Sequence, residues 1–92
     1  MDFTAFDLRI GTITAAVLTD DGIRLTVSLG ARSVEVDSRV NETYAPEALV
    51  GRQVAVVING RTGPVVLAGV SPTEGAVLLQ PERPVGDGTR VV

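Results

Sequence analysis

The chain has 92 residues, eight basic residues that are all arginine, eleven acidic residues and a formal net charge of −3. This length suits a single domain spanning residues 1–92, and the charge gives no general attraction to nucleic acid or to an anionic membrane. Without cysteine or histidine there is no disulfide framework, ordinary zinc site, thiol nucleophile or Ser-His relay, so we expect no enzyme and no cofactor. No apolar run approaches the ~18–20 residues that cross a bilayer, and the N-terminus lacks a leader pattern, so a cytoplasmic protein is expected.

The first half of the chain predicts three antiparallel strands. Residues 8–17 form a β-branched, apolar run in which Gly11 marks a bend or bulge. Residues 20–22, with the sequence Asp-Asp-Gly, predict a hairpin turn. Residues 23–29 alternate strictly between apolar and polar side chains, and residues 33–40 continue this pattern as a third strand.

The second half predicts a short helix followed by more strands. Pro46 and Gly51 bracket one or two helical turns. Residues 52–59, 65–70 and 76–79 are predicted strands, and residues 89–92 close the chain. This order predicts an all-β protein with a small helical insert, namely an OB-fold: a five-stranded Greek-key barrel with short extra C-terminal strands. An SH3-like barrel is the alternative, although it does not require a helix after the third strand.

Three blocks of sequence carry a family resemblance. They read FDLRIGTI at residues 6–13, YAPEALVGRQV followed by VVIN within residues 44–59, and VLLQPERPV at residues 77–85. In this order and spacing they resemble the tRNA-binding-domain family, most closely its CsaA-like members. The resemblance implies a homodimer of OB-folds that binds tRNA, and for CsaA-like members it also implies a chaperone role toward preprotein clients.

The chain departs from the family pattern where phosphate would be bound. The connection at residues 19–22 is trimmed, the basic loop after residue 59 is shortened to residues 60–65, and no lysine remains. Asp37 adds a charge that repels phosphate. Because phosphate neutralisation supplies much of RNA affinity, we expect weak, salt-sensitive binding of tRNA or structured RNA. The alternative is a protein-binding chaperone or assembly module that uses apolar strand edges and has lost RNA binding.

The candidate RNA-binding residues are Ser38, Arg39, Asn59 and Arg61. Ser38 keeps a family-like polar group, and the two guanidinium groups suit phosphate oxygens or base stacking. Asn59 could read a base edge or cap the following turn, and either arginine could be an ordinary solvated side chain. Arg9 could bind a phosphate, or it could pair with a carboxylate such as Asp7 or Glu47.

The remaining features favour structure over chemistry. The adjacent aspartates at positions 20 and 21 are typical of a hairpin turn rather than of a catalytic or metal site. The valine-rich strands predict self-association, because a long apolar strand at the rim of a barrel is an aggregation hazard unless it is paired. A third hypothesis is a purely structural domain that dimerises without binding a ligand.

Overall fold

Three antiparallel strands begin the fold, as the sequence predicts. The computed structural model describes residues 5–92 and places β1 at Leu8–Leu18, β2 at Ile23–Ser28 and β3 at Ser33–Ser38. The Asp-Asp-Gly turn between β1 and β2 is closed by the Thr19 amide, which donates to the Gly22 carbonyl oxygen over 2.9 Å. Along β2 the apolar positions are buried and Arg24 is exposed, which confirms the predicted alternation.

Two further strands close the sheet into a barrel. β4 (Gln53–Val57) pairs with the first half of β1, and β5 (Val65–Val66) pairs with β4, which gives the strand order β3-β2-β1-β4-β5. β5 also lies against β3, so the antiparallel barrel is nearly closed. Its interior is aliphatic, as the scarcity of aromatic residues requires. The fully buried members of the core include Ile13, Ile23, Leu25, Val27, Val36, Leu49, Val54 and Val56. The predicted OB-fold is therefore confirmed.

A short helical insert lies between β3 and β4. Helix α1 (Pro46–Leu49) is a single turn with proline at its first position, and Leu49 is fully buried in the core. Gly51 follows with φ of +95°, a conformation that favours glycine. The predicted helix is confirmed, at the shorter of the two lengths considered. The third strand ends at Ser38 rather than at residue 40, because Val40 turns into the core within a 3₁₀ turn, Val40–Glu42.

The predicted single strand over residues 65–70 is wrong. The chain breaks at Leu67, whose amide donates to the Ala55 carbonyl over 2.9 Å and whose own carbonyl accepts from the Leu79 amide over 3.1 Å. The amide of Leu67 thus continues the pairing of β5 with β4, and its carbonyl begins the pairing with the residues around β7, so the chain changes partner at Leu67. Beyond the break, β6 (Ala68–Ser71) and β7 (Gly75–Leu78) form a separate two-stranded hairpin, which accounts for the extra C-terminal strands.

The irregularity of β1 lies beyond Gly11. The register against β2 shifts between Ile13 and Ala15, so the position predicted for the bulge is wrong. Gly11 is required for another reason: a Cβ at this position would lie 2.6 Å from the Ser28 carbonyl oxygen. Glycine here allows the close approach of β1 and β2.

The final residues, 81–92, form an irregular segment that we call the strap, and it contains a turn in which the Thr89 amide donates to the Gly86 carbonyl over 3.1 Å. The strap runs beside the first half of β1, on the edge opposite β4. The Gly88 amide donates to the Ile10 carbonyl over 2.7 Å, and the Val91 amide donates to the Leu8 carbonyl over 2.9 Å. The predicted last strand is thereby reduced to one β-bridge, between Arg90 and Arg9.

Candidate nucleic-acid interface

Ser38 and Arg39 lie together at the end of β3, beside the β1–β2 turn. The Ser38 hydroxyl is half-buried and accepts a hydrogen bond from the Val40 amide over 3.3 Å. The Arg39 guanidinium is exposed and forms an ion pair with Glu42 over 3.1 Å. Both residues line an open cleft of about 390 Å³ with the β1–β2 turn. The cleft is open to a ligand, but the Glu42 carboxylate is already paired with Arg39.

Asn59 and Arg61 lie beyond the end of β4. The Asn59 side-chain oxygen accepts from the Asp7 amide over 2.8 Å, and its amide nitrogen donates to the Ala5 carbonyl over 3.1 Å. Asn59 thus holds the segment that leads into β1, and its contact with an RNA base stays a prediction. Arg61 is exposed on the loop that follows, and within residues 5–92 no carboxylate pairs with it.

The structure does not bring the four candidate residues into one site. The register aligns Ser38 with Ile23 and Ile23 with Leu18, the last residue of β1. At the other end of the barrel, Val57 aligns with Leu8, the first residue of β1. The two pairs of candidates are therefore separated by the full length of this eleven-residue strand. An RNA that contacts both pairs would have to extend along the barrel.

Asp37 is partly compensated by a cross-strand neighbour. The Arg24 side chain donates from Nε to Asp37 Oδ1 over 2.9 Å and from Nη2 to Oδ2 over 3.4 Å. This hydrogen bond is the main cause that lowers the pKa of Asp37 and raises the pKa of Arg24. Because the carboxylate is matched by a guanidinium, the repulsion of phosphate expected at this position is reduced locally.

Two arginines have structural partners. Arg9 donates from Nε to Asp7 over 2.7 Å and from Nη1 to the Gly88 carbonyl over 3.2 Å, which confirms the expected pairing with a carboxylate. Arg52 donates to the Ala48 carbonyl over 2.8 Å at the end of α1. Its guanidinium also lies over the Tyr44 ring, 5.2 Å from the centroid, in a cation–π arrangement.

Arg32 and Arg90 are basic residues that the sequence does not single out. Both are exposed, and within the described residues neither has a carboxylate in ion-pair range. Arg32 shares a cleft of about 210 Å³ with Arg9, and Arg90 bridges to Arg9 through the backbone. No local pattern reveals this grouping, since Arg9 and Arg90 lie near opposite ends of the chain.

An apolar groove of about 350 Å³ adjoins Arg39. It lies between the 3₁₀ turn and the β6–β7 hairpin and is lined by Val40, Ala68, Val70 and Ala76, with Glu42 at its rim. The Val70 side chain is 83% exposed, a large fraction for an aliphatic residue inside a groove. This surface is a second candidate binding site.

Within residues 5–92, no three histidine, cysteine or acidic side chains lie close enough together to hold a metal ion. The same part of the chain contains no helix with the length and hydropathy of a membrane span.

A nearly closed barrel with exposed arginines and clefts at its ends is a small OB-fold binding domain, and known proteins share this architecture. The solved structure of the chaperone CsaA from Bacillus anthracis strain Ames is 33% identical to the chain. It aligns over 99% of this chain and 94% of CsaA, with a TM-score of 0.88. The chain therefore belongs to the CsaA-like, tRNA-binding-domain family of OB-folds. A methionyl-tRNA synthetase-related protein from Pyrococcus horikoshii, 19% identical, shares the fold with a TM-score of 0.85 over 98% of this chain and 93% of that one.

Longer proteins also contain a similar segment. The methionine–tRNA ligase of Methanococcoides burtonii is 36% identical over 100 residues, which cover 96% of this chain. That of Salinibacter ruber is 39% identical over 93 residues and 98% of this chain. The chain spans only 15% and 12% of the lengths of these ligases. The similarity thus concerns one domain of each, which suggests a non-catalytic domain. No protein-family model matches the chain.

Proposed function

We propose that this protein is a non-enzymatic domain that binds tRNA or a similarly structured RNA. The observation that carries the proposal is the recurrence of the domain: it matches almost all of a free-standing CsaA, and it also matches a segment of ligases whose substrate is tRNA. An OB-fold presents its strands and loops to nucleic acid without needing a catalytic group. A tRNA partner would place the protein in the cytoplasm.

Ser38, Arg39, Asn59 and Arg61 are the proposed contacts with RNA. Arg39 can exchange its exposed Glu42 partner for a phosphate, since surface ion pairs contribute little stability. Arg61 needs no such exchange. Asn59 is the weakest member, because both polar atoms of its side chain already bind the backbone of the N-terminal segment.

The carboxylates that already pair with arginines support weak binding of RNA. Within residues 5–92, four of the eight arginines form ion pairs with carboxylates: Arg9, Arg24, Arg39 and Arg83. Each phosphate contact adds both affinity and salt dependence. A protein of net charge −3 with few free guanidinium groups should therefore bind RNA detectably only at low ionic strength.

A fluorescence anisotropy titration with unfractionated tRNA at low salt tests the proposal. We expect saturable binding with Kd in the range of about 1–100 μM, typical of contacts dominated by phosphates. R39Q and R61Q should each weaken binding, whereas R83Q should not. R83Q is the matched control because Arg83 is also exposed and paired with a neighbouring carboxylate. The absence of a saturable signal from the wild-type protein would contradict the proposal.

A chaperone role is the second candidate function, and the apolar groove favours it. An extended apolar segment of an unfolded client fits a groove whose walls are valine and alanine. The protein should then suppress aggregation of an unfolded preprotein at stoichiometric ratios, with or without RNA. V70S should abolish this suppression. V17S should preserve it, because Val17 is exposed elsewhere, at the end of β1. Equal activity of the two variants would contradict a role for the groove.

A homodimer is proposed from the apolar surface that the barrel leaves uncovered. The exposed large hydrophobic residues are Phe6, Val17, Leu18, Val50, Val65, Val70, Val77, Leu79, Val85, Val91 and Val92. A two-fold interface that covers several of them would remove an aggregation hazard. Light scattering should report twice the 9.6 kDa monomer mass. A monomer mass at working concentration would contradict the dimer.

A further inference from the structure

The strap places Arg90 directly opposite Arg9. The Ile10 amide donates to the Thr89 carbonyl over 2.8 Å, and the Val91 amide donates to the Leu8 carbonyl over 2.9 Å. These two hydrogen bonds flank the Arg9–Arg90 bridge, so the two arginines form a non-hydrogen-bonded antiparallel pair. In such a pair both side chains leave the same face, with Cβ atoms ~4.5–5.5 Å apart.

Arg32 joins this pair from the β2–β3 turn. The turn is closed by the Leu29 amide, which donates to the Arg32 carbonyl over 2.7 Å. Arg32, Leu29 and Ala31 line one side of the cleft of about 210 Å³, and Arg9 and Gly88 line the other. The cleft therefore lies between the turn, the start of β1 and the strap, three segments that are fixed by backbone hydrogen bonds.

The charge of this region is opposite to that of the whole molecule. Of the described carboxylates, Asp7 lines the cleft and is already bound to Arg9. The nearby Asp87 carboxylate instead accepts from Thr12 and Gln53 over 2.6 and 3.2 Å. Like charges directly opposite each other destabilise a sheet. A bound anion would relieve this repulsion.

We propose that Arg9, Arg32 and Arg90 form a binding site for phosphate groups of the RNA backbone. This inference rests on the proposed RNA-binding function and names the surface that performs it. The guanidinium fork gives each arginine directional donors for phosphate oxygens. The cleft also adjoins the Arg61 loop, because Ile58 lines the cleft and the loop follows directly. The strap end of the barrel thus offers phosphate contacts in addition to those proposed at the Arg39 end.

The site is tested first without RNA. Inorganic phosphate is titrated into the full chain while the side-chain Nε–H signals of the arginines are followed by NMR. Arg9, Arg32 and Arg90 should shift together and saturate, whereas Arg83 should not. Phosphate-dependent shifts of similar size at all arginines would overturn the site, because they would report general screening by salt.

Variants then test the contribution to RNA binding. R32Q and R90Q should each weaken tRNA binding about tenfold, as expected for the loss of one charged hydrogen-bonded contact. Each should also reduce the magnitude of the salt slope by about 1. R83Q removes the same charge elsewhere and should leave both quantities unchanged. Circular dichroism confirms that the variants, all at exposed positions, are folded.

The outcomes separate this site from the proposed function. If wild-type protein binds tRNA and R32Q and R90Q bind as R83Q does, the arginine site is wrong and the RNA-binding function stands. If wild-type protein does not bind tRNA at low salt, the function fails, and the phosphate titration alone decides the site. Saturable shifts confined to Arg9, Arg32 and Arg90 would still support it, and their absence would overturn it.

Discussion

Replacing Gly88 by alanine tests how the strap is held against the barrel. Gly88 has φ of +88°, and a Cβ added there would lie 2.5 Å from the Leu29 carbonyl oxygen. That oxygen belongs to the backbone of the β2–β3 turn, so no side chain can rotate away to make room. G88A therefore introduces both backbone strain and a steric clash.

The two effects can be given separate magnitudes. A left-handed backbone costs a residue with a side chain about 1–2 kcal/mol relative to glycine. Forcing a methyl group into a filled position costs a further ~1–3 kcal/mol. We expect G88A to lower the free energy of unfolding by about 2–5 kcal/mol, the sum of these ranges. G51A is the matched control: Gly51 has φ of +95° but no atom within 4 Å of the added Cβ, so it carries the strain alone.

Urea unfolding of G88A, G51A and the wild-type protein measures the difference. Amide hydrogen exchange at Ile10 and Gly88 shows whether the strap separates before the barrel unfolds, because the Ile10 amide donates to the Thr89 carbonyl and the Gly88 amide donates to the Ile10 carbonyl. G88A should be less stable than G51A and should exchange faster at both amides. Equal stability together with equal protection would refute the reasoning that the strap is tightly packed against the β2–β3 turn.

Two further predictions concern the core and the charged surface. L49A should lower the free energy of unfolding by about 2–5 kcal/mol, because Leu49 is fully buried. V50A, at the neighbouring position that is 48% exposed, should change it by less than about 0.5 kcal/mol. Urea unfolding of the two variants measures the difference. The Asp37 carboxyl should titrate below its ordinary pKa of 3.8 by NMR, and R24Q should return it toward that value. Since the folded pKa is lowered, the pair's stabilisation is present above pH 3.8 and is lost as the pH falls through the folded pKa. Identical Asp37 titrations in R24Q and wild type would contradict the pairing.

Local sequence patterns predict those parts of the fold that are decided locally. The Asp-Asp-Gly turn, the alternation along β2 and the helix that begins at Pro46 each depend on neighbouring residues, and each is confirmed. The break at Leu67 does not depend on neighbouring residues. Residues 65–70 look like one strand, and the change of partner at Leu67, from Ala55 to Leu79, depends on residues that are distant in sequence.

The candidate site could be predicted less well, because its contacts also join residues that are distant in sequence. Asn59 carries the right chemistry for a base contact, but nothing in its neighbourhood shows that the Asp7 and Ala5 backbones engage its amide. The approach of Arg90 to Arg9 depends on where the strap lies, which is set by the whole barrel. The roles of Ser38, Arg39, Asn59 and Arg61 in RNA binding stay predictions.

The strap also determines which strand edges are open to other chains. β4 covers one edge of the first half of β1, and the strap covers the other, so the backbone around Leu8 and Ile10 has partners on both sides. Removing the strap would leave the backbone amides and carbonyls along this edge of β1 unpaired. Such an edge is a template for adding strands from neighbouring molecules. The part of the strap that carries Arg90, residues 88–91, thus covers this edge of β1, and we expect sequence changes there to affect solubility as well as the proposed phosphate site.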